Sequence, residues 1–291
     1  MASPKDGFFG PHSVVWRVDR ELAVLLGSGS RALLLQVAHP LIAAAVADHS
    51  RYRRDPIGRL RHTLETIYAF AFSDREHATR MVEAINRRHA QVVGTSPDGT
   101  PYAALDPHLL LWVYATLIDS GLLAYETFVA PLTEAEREQA YLEFQEAAHV
   151  WGIPPEIFPP GIRGLRAWMD ELIASGEVRV SPQGREAGRI ILKPPVWWLP
   201  GFLMSPLEWV AVWLLPPTIR DGFGYTWGPR RERFMQLCAA LSRRVVPRLP
   251  AWLRDLPVAR AADRRVEGHQ TRVRWQALRF IHHGEPGIHA Q

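Results

Sequence analysis

From residue 13 onward, apolar side chains recur every three to four positions with no run of alternation, so the chain reads as a succession of helices. Val15, Trp16, Val18, Leu22, Leu25 and Leu26 predict a first helix over 13–28, stopped by Gly27 and Gly29. The next stretch, RALLLQVAHPLIAAAVADHS, is apolar nearly all round, as a central buried helix is. Pro40 lacks an N–H and clashes with the preceding turn, so it should kink or divide that helix. Asp55-Pro56 opens another, running to about Phe72, with Asp as the cap and Pro in the first turn. Ser73-Asp74 opens its neighbour, about 75–92, closed by Gly94. The two should lie antiparallel.

TSPDGTPYAALDP is a turn-rich loop, after which Pro107 starts a long apolar helix. Thr133, with Glu134 and Glu136 behind it, opens the next. Two shorter helices follow in RGLRAWMDELIASG and SPQGREAGRIIL, then a Trp-rich tract at 194–217, a turn-rich loop and a helix from about Pro229 to Val246. The tail turns amphipathic around RVRWQALRFI. There is no internal repeat. The pattern predicts an all-α protein: a loose arm at 1–12, one compact multi-helix domain over 13–246, and a helical, Trp-rich C-terminal extension over 247–291.

Composition agrees with a globular chain, 47% hydrophobic and 22% charged over 291 residues. Eleven tryptophans call for much aromatic area to be buried, or presented to an apolar ligand or a membrane. The formal charge is +4, and among the 34 basic residues only Lys5 and Lys193 are lysines. The arginines are scattered among acids, as in RLRHTLE, so nucleic acid is not an expected partner. A single cysteine, Cys238 in an apolar helical stretch, excludes an internal disulfide and any Cys-based metal site. The N-terminus lacks a secretory leader's long apolar core, which predicts a cytoplasmic protein. The Trp-rich tract is broken by Gly201, Pro206 and Glu208, so it predicts a buried helix or a peripheral membrane contact rather than a span.

Common catalytic signatures are missing: no HExxH, GxSxG, Walker loop or GxGxxG. A di-iron bundle needs two Glu-x-x-His pairs, and only Glu146–His149 occurs; with a further ligand it would serve a metal-dependent hydrolase. What remains is histidine on buried helices. Heme asks for one imidazole, apolar walls, and arginines for its propionates. His89 lies between the apolar Ile85 and Val92 and can face inward, either as such a ligand or as a core residue.

QVAHPLIAAAVADHSRYRRDPIGRLRHTLETIYAFAFSD, NRRHAQVVG, DPHLLLWVYATLIDSGLLAYE, WGIPPEIFPP and LLPPTIRDGFGYTWGPRRER together resemble the family of MpaB-type oxygenases and the latex clearing protein, a rubber oxygenase. The resemblance covers roughly 13–245 and is strongest to the MpaB-like branch. It implies an all-helical domain, a b-type heme, and O₂-dependent cleavage of a carbon–carbon double bond in an isoprenoid chain. His89 matches the proximal iron ligand. Arg59, His62 and Thr63 match an Arg-x-x-Lys-Thr segment over the distal face, with His62 in place of the lysine. An imidazole there would be a second axial ligand or a distal acid/base. Tyr114 stands where many relatives carry His, as a hydrogen-bond donor to the cofactor or as packing. His39 is implied as a supporting hydrogen-bond partner.

These readings converge on a heme b-dependent oxygenase or oxidoreductase taking O₂ and a hydrophobic, isoprenoid or lipid-like substrate. His89 would be the proximal ligand, and Arg59, His62 and Thr63 the distal and propionate side. A heme sensor or carrier without turnover, and a metal-free helical binder of an apolar ligand, are the alternatives.

Overall fold

The computed structural model describes residues 7–193 and 201–268. Residues 194–200 of the Trp-rich tract and the RVRWQALRFI stretch lie outside them. Among the described residues the fold is all-α: fourteen α-helices and one two-stranded antiparallel hairpin.

The N-terminal helix is two helices rather than one, α1 (Val14–Asp19) and α2 (Leu22–Ala38). Gly27 and Gly29 do not stop α2. The chain breaks instead at Arg20–Glu21, where the Arg20 carbonyl accepts from the Leu256 amide at 2.8 Å and Glu21 bridges to Asp255. Gly27 is a packing position: a Cβ there would come 2.8 Å from the Phe128 ring. Its absence lets α2 lie close against α6 (Pro107–Phe128), the central helix. Pro40 does divide the apolar stretch. α3 (Pro40–His49) leaves α2 at 99°. The extended residue between them, His39, accepts the Leu41 amide on Nδ1 at 3.3 Å.

α4 (Pro56–Phe72) and α5 (Arg75–His89) start where Asp55 and Asp74 cap them, each carboxylate accepting an amide at 2.8 Å. α5 is shorter than its sequence pattern predicts. It ends at His89, and after the Ala90–Val92 turn the chain enters a short strand. That strand, β1 (Val93–Thr95), pairs with β2 (Pro101–Ala103) inside the stretch expected to be loop alone. Gly94 belongs to β1; a Cβ there would strike the Tyr102 phenol, which crosses it to donate to Asp48 at 2.6 Å.

α7 (Glu134–Ala148) opens with a full capping box between Thr133 and Glu136. α8 (Gly161–Ala174), α9 (Pro182–Leu192), α10 (Gly201–Trp213), α11 (Pro217–Gly222) and α12 (Pro229–Val245) complete the bundle. Glu208, within the Trp-rich tract, is buried, accepting from the Tyr225 hydroxyl at 2.8 Å and pairing with Lys193 at 2.9 Å. α13 (Ala251–Arg254) and α14 (Pro257–Val266) fold back on the N-terminus. There Arg20 pairs with both Asp255 and Asp263 at 2.7 Å, and the Trp16 indole donates to Asp263 at 3.1 Å.

Trp16, Trp112, Tyr141, Leu34, Leu35 and Ile118 are fully buried at the centre. Among the described residues α6 alone is long and apolar enough to cross a membrane, and it is mostly covered by the bundle.

Candidate functional site

The α4–α5 hairpin sets the start of α4 opposite the end of α5, so the last helical residue, His89, comes within electrostatic reach of Arg59. The His89 Nδ1 is buried with no hydrogen-bond partner, while the half-buried ring leaves Nε2 in contact with open space. Burial first, and then the Arg59 charge, push this imidazole below its ordinary range. Two effects in one direction give a neutral ring near pH 7, the form that ligates metals.

Arg59 donates to the Thr63 hydroxyl one turn on, and that hydroxyl donates to the Arg59 carbonyl at 2.8 Å. The pair is thus a unit on the face of α4 that meets α5. Arg59 keeps solvent contact, yet protein crowds it enough for desolvation to push its guanidinium down. His62 is on the same stretch of α4, exposed and without a hydrogen bond.

His39 and Tyr114 are engaged elsewhere. The His39 ring is buried at the α2–α3 corner, tilted against Trp112 and 4.0 Å from Glu177. Burial and then Arg179, against Asp106, push it down to about 4. The buried Tyr114 hydroxyl donates to the Phe144 carbonyl at 2.8 Å, and its ring packs edge-on against Phe144 and Phe158. Both frame the interior through these partners. Glu146 and His149 gain no third ligand among the described residues, and the exposed His149 ring contacts the Glu146 carbonyl instead.

Two helices carry apolar residues that are not fully buried. On α6, Leu109, Val113 and Leu117 recur every fourth residue and are each only half buried. On α4, Leu60, Leu64 and Ile67 also keep accessible surface.

Sequence reasoning missed Asp19. At the end of α1 it faces Gly121 of α6, its Oδ1 3.8 Å from where a Cβ would stand there. Its charge also acts on Tyr68 and Tyr114, whose phenols are raised first by their own burial. It has neither an ion pair nor a hydrogen bond, and burial pushes its carboxyl up to about 7. In the sequence, Asp19 beside Arg20 looks like any surface acid, and only packing shows otherwise.

With the folded value above the ordinary 3.8, the fold favours the protonated acid, so stability falls as pH rises from about 4 through about 7. Asp19→Asn should therefore raise the melting temperature at pH 8 by a few degrees, roughly 1–2 kcal/mol, and the gain should vanish by about pH 4. Glu21, also pushed up to about 7 by burial, titrates in both proteins and drops out of the comparison. Thermal unfolding of both proteins across that range checks it; equal melting curves at pH 8 would refute it.

Residues 16–244 match the family described as ER-bound oxygenase mpaB/B′/Rubber oxygenase, catalytic domain, and the chain belongs to that family. It is also similar to two curated relatives, the uncharacterized protein Mb2261 of Mycobacterium bovis and the uncharacterized protein Rv2237 of Mycobacterium tuberculosis. Each is 27% identical over 133 residues, covering 44% of this chain and 52% of the relative. The chain thus spans about half the length of the curated relatives it matches. No solved structure matches it at comparable significance.

Proposed function

We propose that this chain is a heme b-dependent oxygenase acting with O₂ on an apolar substrate of isoprenoid or lipid-like kind. The observation that carries the reading is His89: a half-buried imidazole at a helix end, its Nδ1 without a hydrogen bond and Arg59 within electrostatic reach. The donor set fits a porphyrin better than a bare metal ion. No group of three or more His, Cys, Asp or Glu among the described residues could hold an ion, whereas a porphyrin brings four nitrogens of its own and asks the protein for an axial ligand.

In this reading His89 would hold the iron of a bound heme. Arg59, kept in place by Thr63, would pair with a propionate. Heme b bound there supplies the dioxygen chemistry; the chain orients the group, excludes water and admits the apolar substrate. The half-buried faces of α4 and α6 serve as walls for that substrate. His62, exposed on the same stretch of α4, would supply a proton or a second imidazole to the bound group.

Hemin titration of the purified protein tests this. A Soret band saturating near one equivalent is expected, with a CO-shifted band after dithionite. Failure to develop a Soret band would end the heme reading and leave a binder of apolar ligands. A low-spin spectrum indifferent to CO would make the protein a heme carrier or sensor. His62→Ala should leave heme bound but change the spin state or the CO band; an identical spectrum would remove His62 from the distal side.

A further inference from the structure

We propose that the outer face of α12, with Trp252 of α13 and Trp209 of α10, docks on a lipid bilayer that carries anionic headgroups. The proposal is independent of the heme reading.

α12 is apolar on two sides. Its inner side holds the bundle: Met235 and Ala239 are buried, and the Ser242 hydroxyl donates to the Phe128 carbonyl at 2.8 Å. Its outer side carries Phe234, Leu237, Leu241 and Val245, exposed by 52%, 70%, 62% and 45%. At 100° per residue these four fall within about 80° of arc, a continuous stripe three turns long. Trp252 in the following helix α13 is 67% exposed, and Trp209 joins the stripe through an edge-on contact with Phe234, ring centroids 6.2 Å apart. Single exposed apolar residues are ordinary, but an aligned stripe joined by a tryptophan is an interaction surface.

Charge decides the occupant. Arg230, Arg233 and Arg244 are exposed within or beside the arc of the stripe, Arg248 is exposed just past the helix end, and the Arg231 guanidinium lies 5.4 Å over the Trp209 ring. The one acid on α12, Glu232, is turned inward, where it accepts from the Trp213 and Trp227 indoles. The rim is therefore cationic with no carboxylate from α12. A second copy docking by two-fold symmetry would bring arginine against arginine. An anionic bilayer offers apolar depth for the leucines, an interface for the tryptophans and phosphates for the arginines.

The test uses the full-length protein and co-sedimentation with vesicles of phosphatidylcholine alone, or with about 30% phosphatidylglycerol, near physiological salt. Expected are firm binding to the anionic vesicles, weaker binding to the neutral ones, and at least a tenfold loss for Leu237→Glu with Leu241→Glu. These outward positions should leave the thermal unfolding curve in place. Should that variant unfold, Arg233→Gln with Arg244→Gln provides the second arm, losing anionic binding while keeping the neutral level. Indifference of the wild type to both vesicles would overturn the proposal, and so would equal binding by wild type and variants. So would a sedimentation-velocity dimer that Leu237→Glu with Leu241→Glu converts to monomer, which would give the face to a second copy.

Discussion

His89→Ala should yield a folded chain that no longer retains heme. The residue is half-buried at a helix end and makes no hydrogen bond through Nδ1, so its removal costs packing alone, on the order of 1 kcal/mol. Heme affinity should respond far more strongly. Losing a supporting partner of a metal ligand typically costs about 10–100-fold, and losing the ligand itself should exceed that. Hemin titration followed by desalting reads the difference as loss of the Soret band while circular dichroism stays native. Added imidazole entering the vacated space should restore part of the band, which a merely structural histidine would not permit. An undiminished Soret band after desalting would move the proximal ligand elsewhere.

The largest stability effect is expected at Arg31, far from that chemistry. Its side chain is only 5% exposed, and its guanidinium donates to Leu214 O at 2.8 Å, Ser120 Oγ at 2.6 Å and Asp119 Oδ2 at 2.7 Å. Burial alone would raise Asp119; Arg31 and Arg166 outweigh it and hold the carboxyl below its ordinary value. Arg31→Ala removes the closer cation and leaves a buried carboxylate with Arg166 at 3.0 Å as its remaining ion pair. Breaking a buried pair from one side costs about 3–5 kcal/mol, a large part of the roughly 5–15 kcal/mol that holds a domain together. Thermal unfolding should show a drop of about 10 °C. Arg31→Met with Asp119→Leu, which replaces both charges by apolar groups of similar size, should recover most of it. A single variant melting within a degree of the wild type would show the network to be dispensable.

Much of this molecule is local physical chemistry. Asp55, Asp74 and Thr133 cap helices where the sequence pattern places them, and Pro40 divides the apolar stretch, because each acts on backbone within a few residues of itself. The all-helical class follows from the same periodicity. The i, i+4 relation of Arg59 and Thr63 was legible for that reason too. Pairing α4 with α5 followed from their short connection, and it puts Arg59 within reach of His89.

Where distant residues intervene, sequence pattern is silent. The chain breaks at Arg20 rather than at Gly27 because Leu256 and Asp255, more than two hundred residues later, take its backbone. Gly27 looks like a stop signal and is a contact point, since the missing side chain matters only once Phe128 lies against it. Asp19 becomes a raised, unpaired acid only because α4 and α6 desolvate it, and His39 is held down by burial and by Arg179, which the fold brings in. The sequence by itself determined the helices, their caps and the identity of the histidines. Tertiary structure alone decided which charges lose their water, which apolar faces stay open, and which histidine keeps an accessible nitrogen, because desolvation depends on every neighbour in space and not on those along the chain.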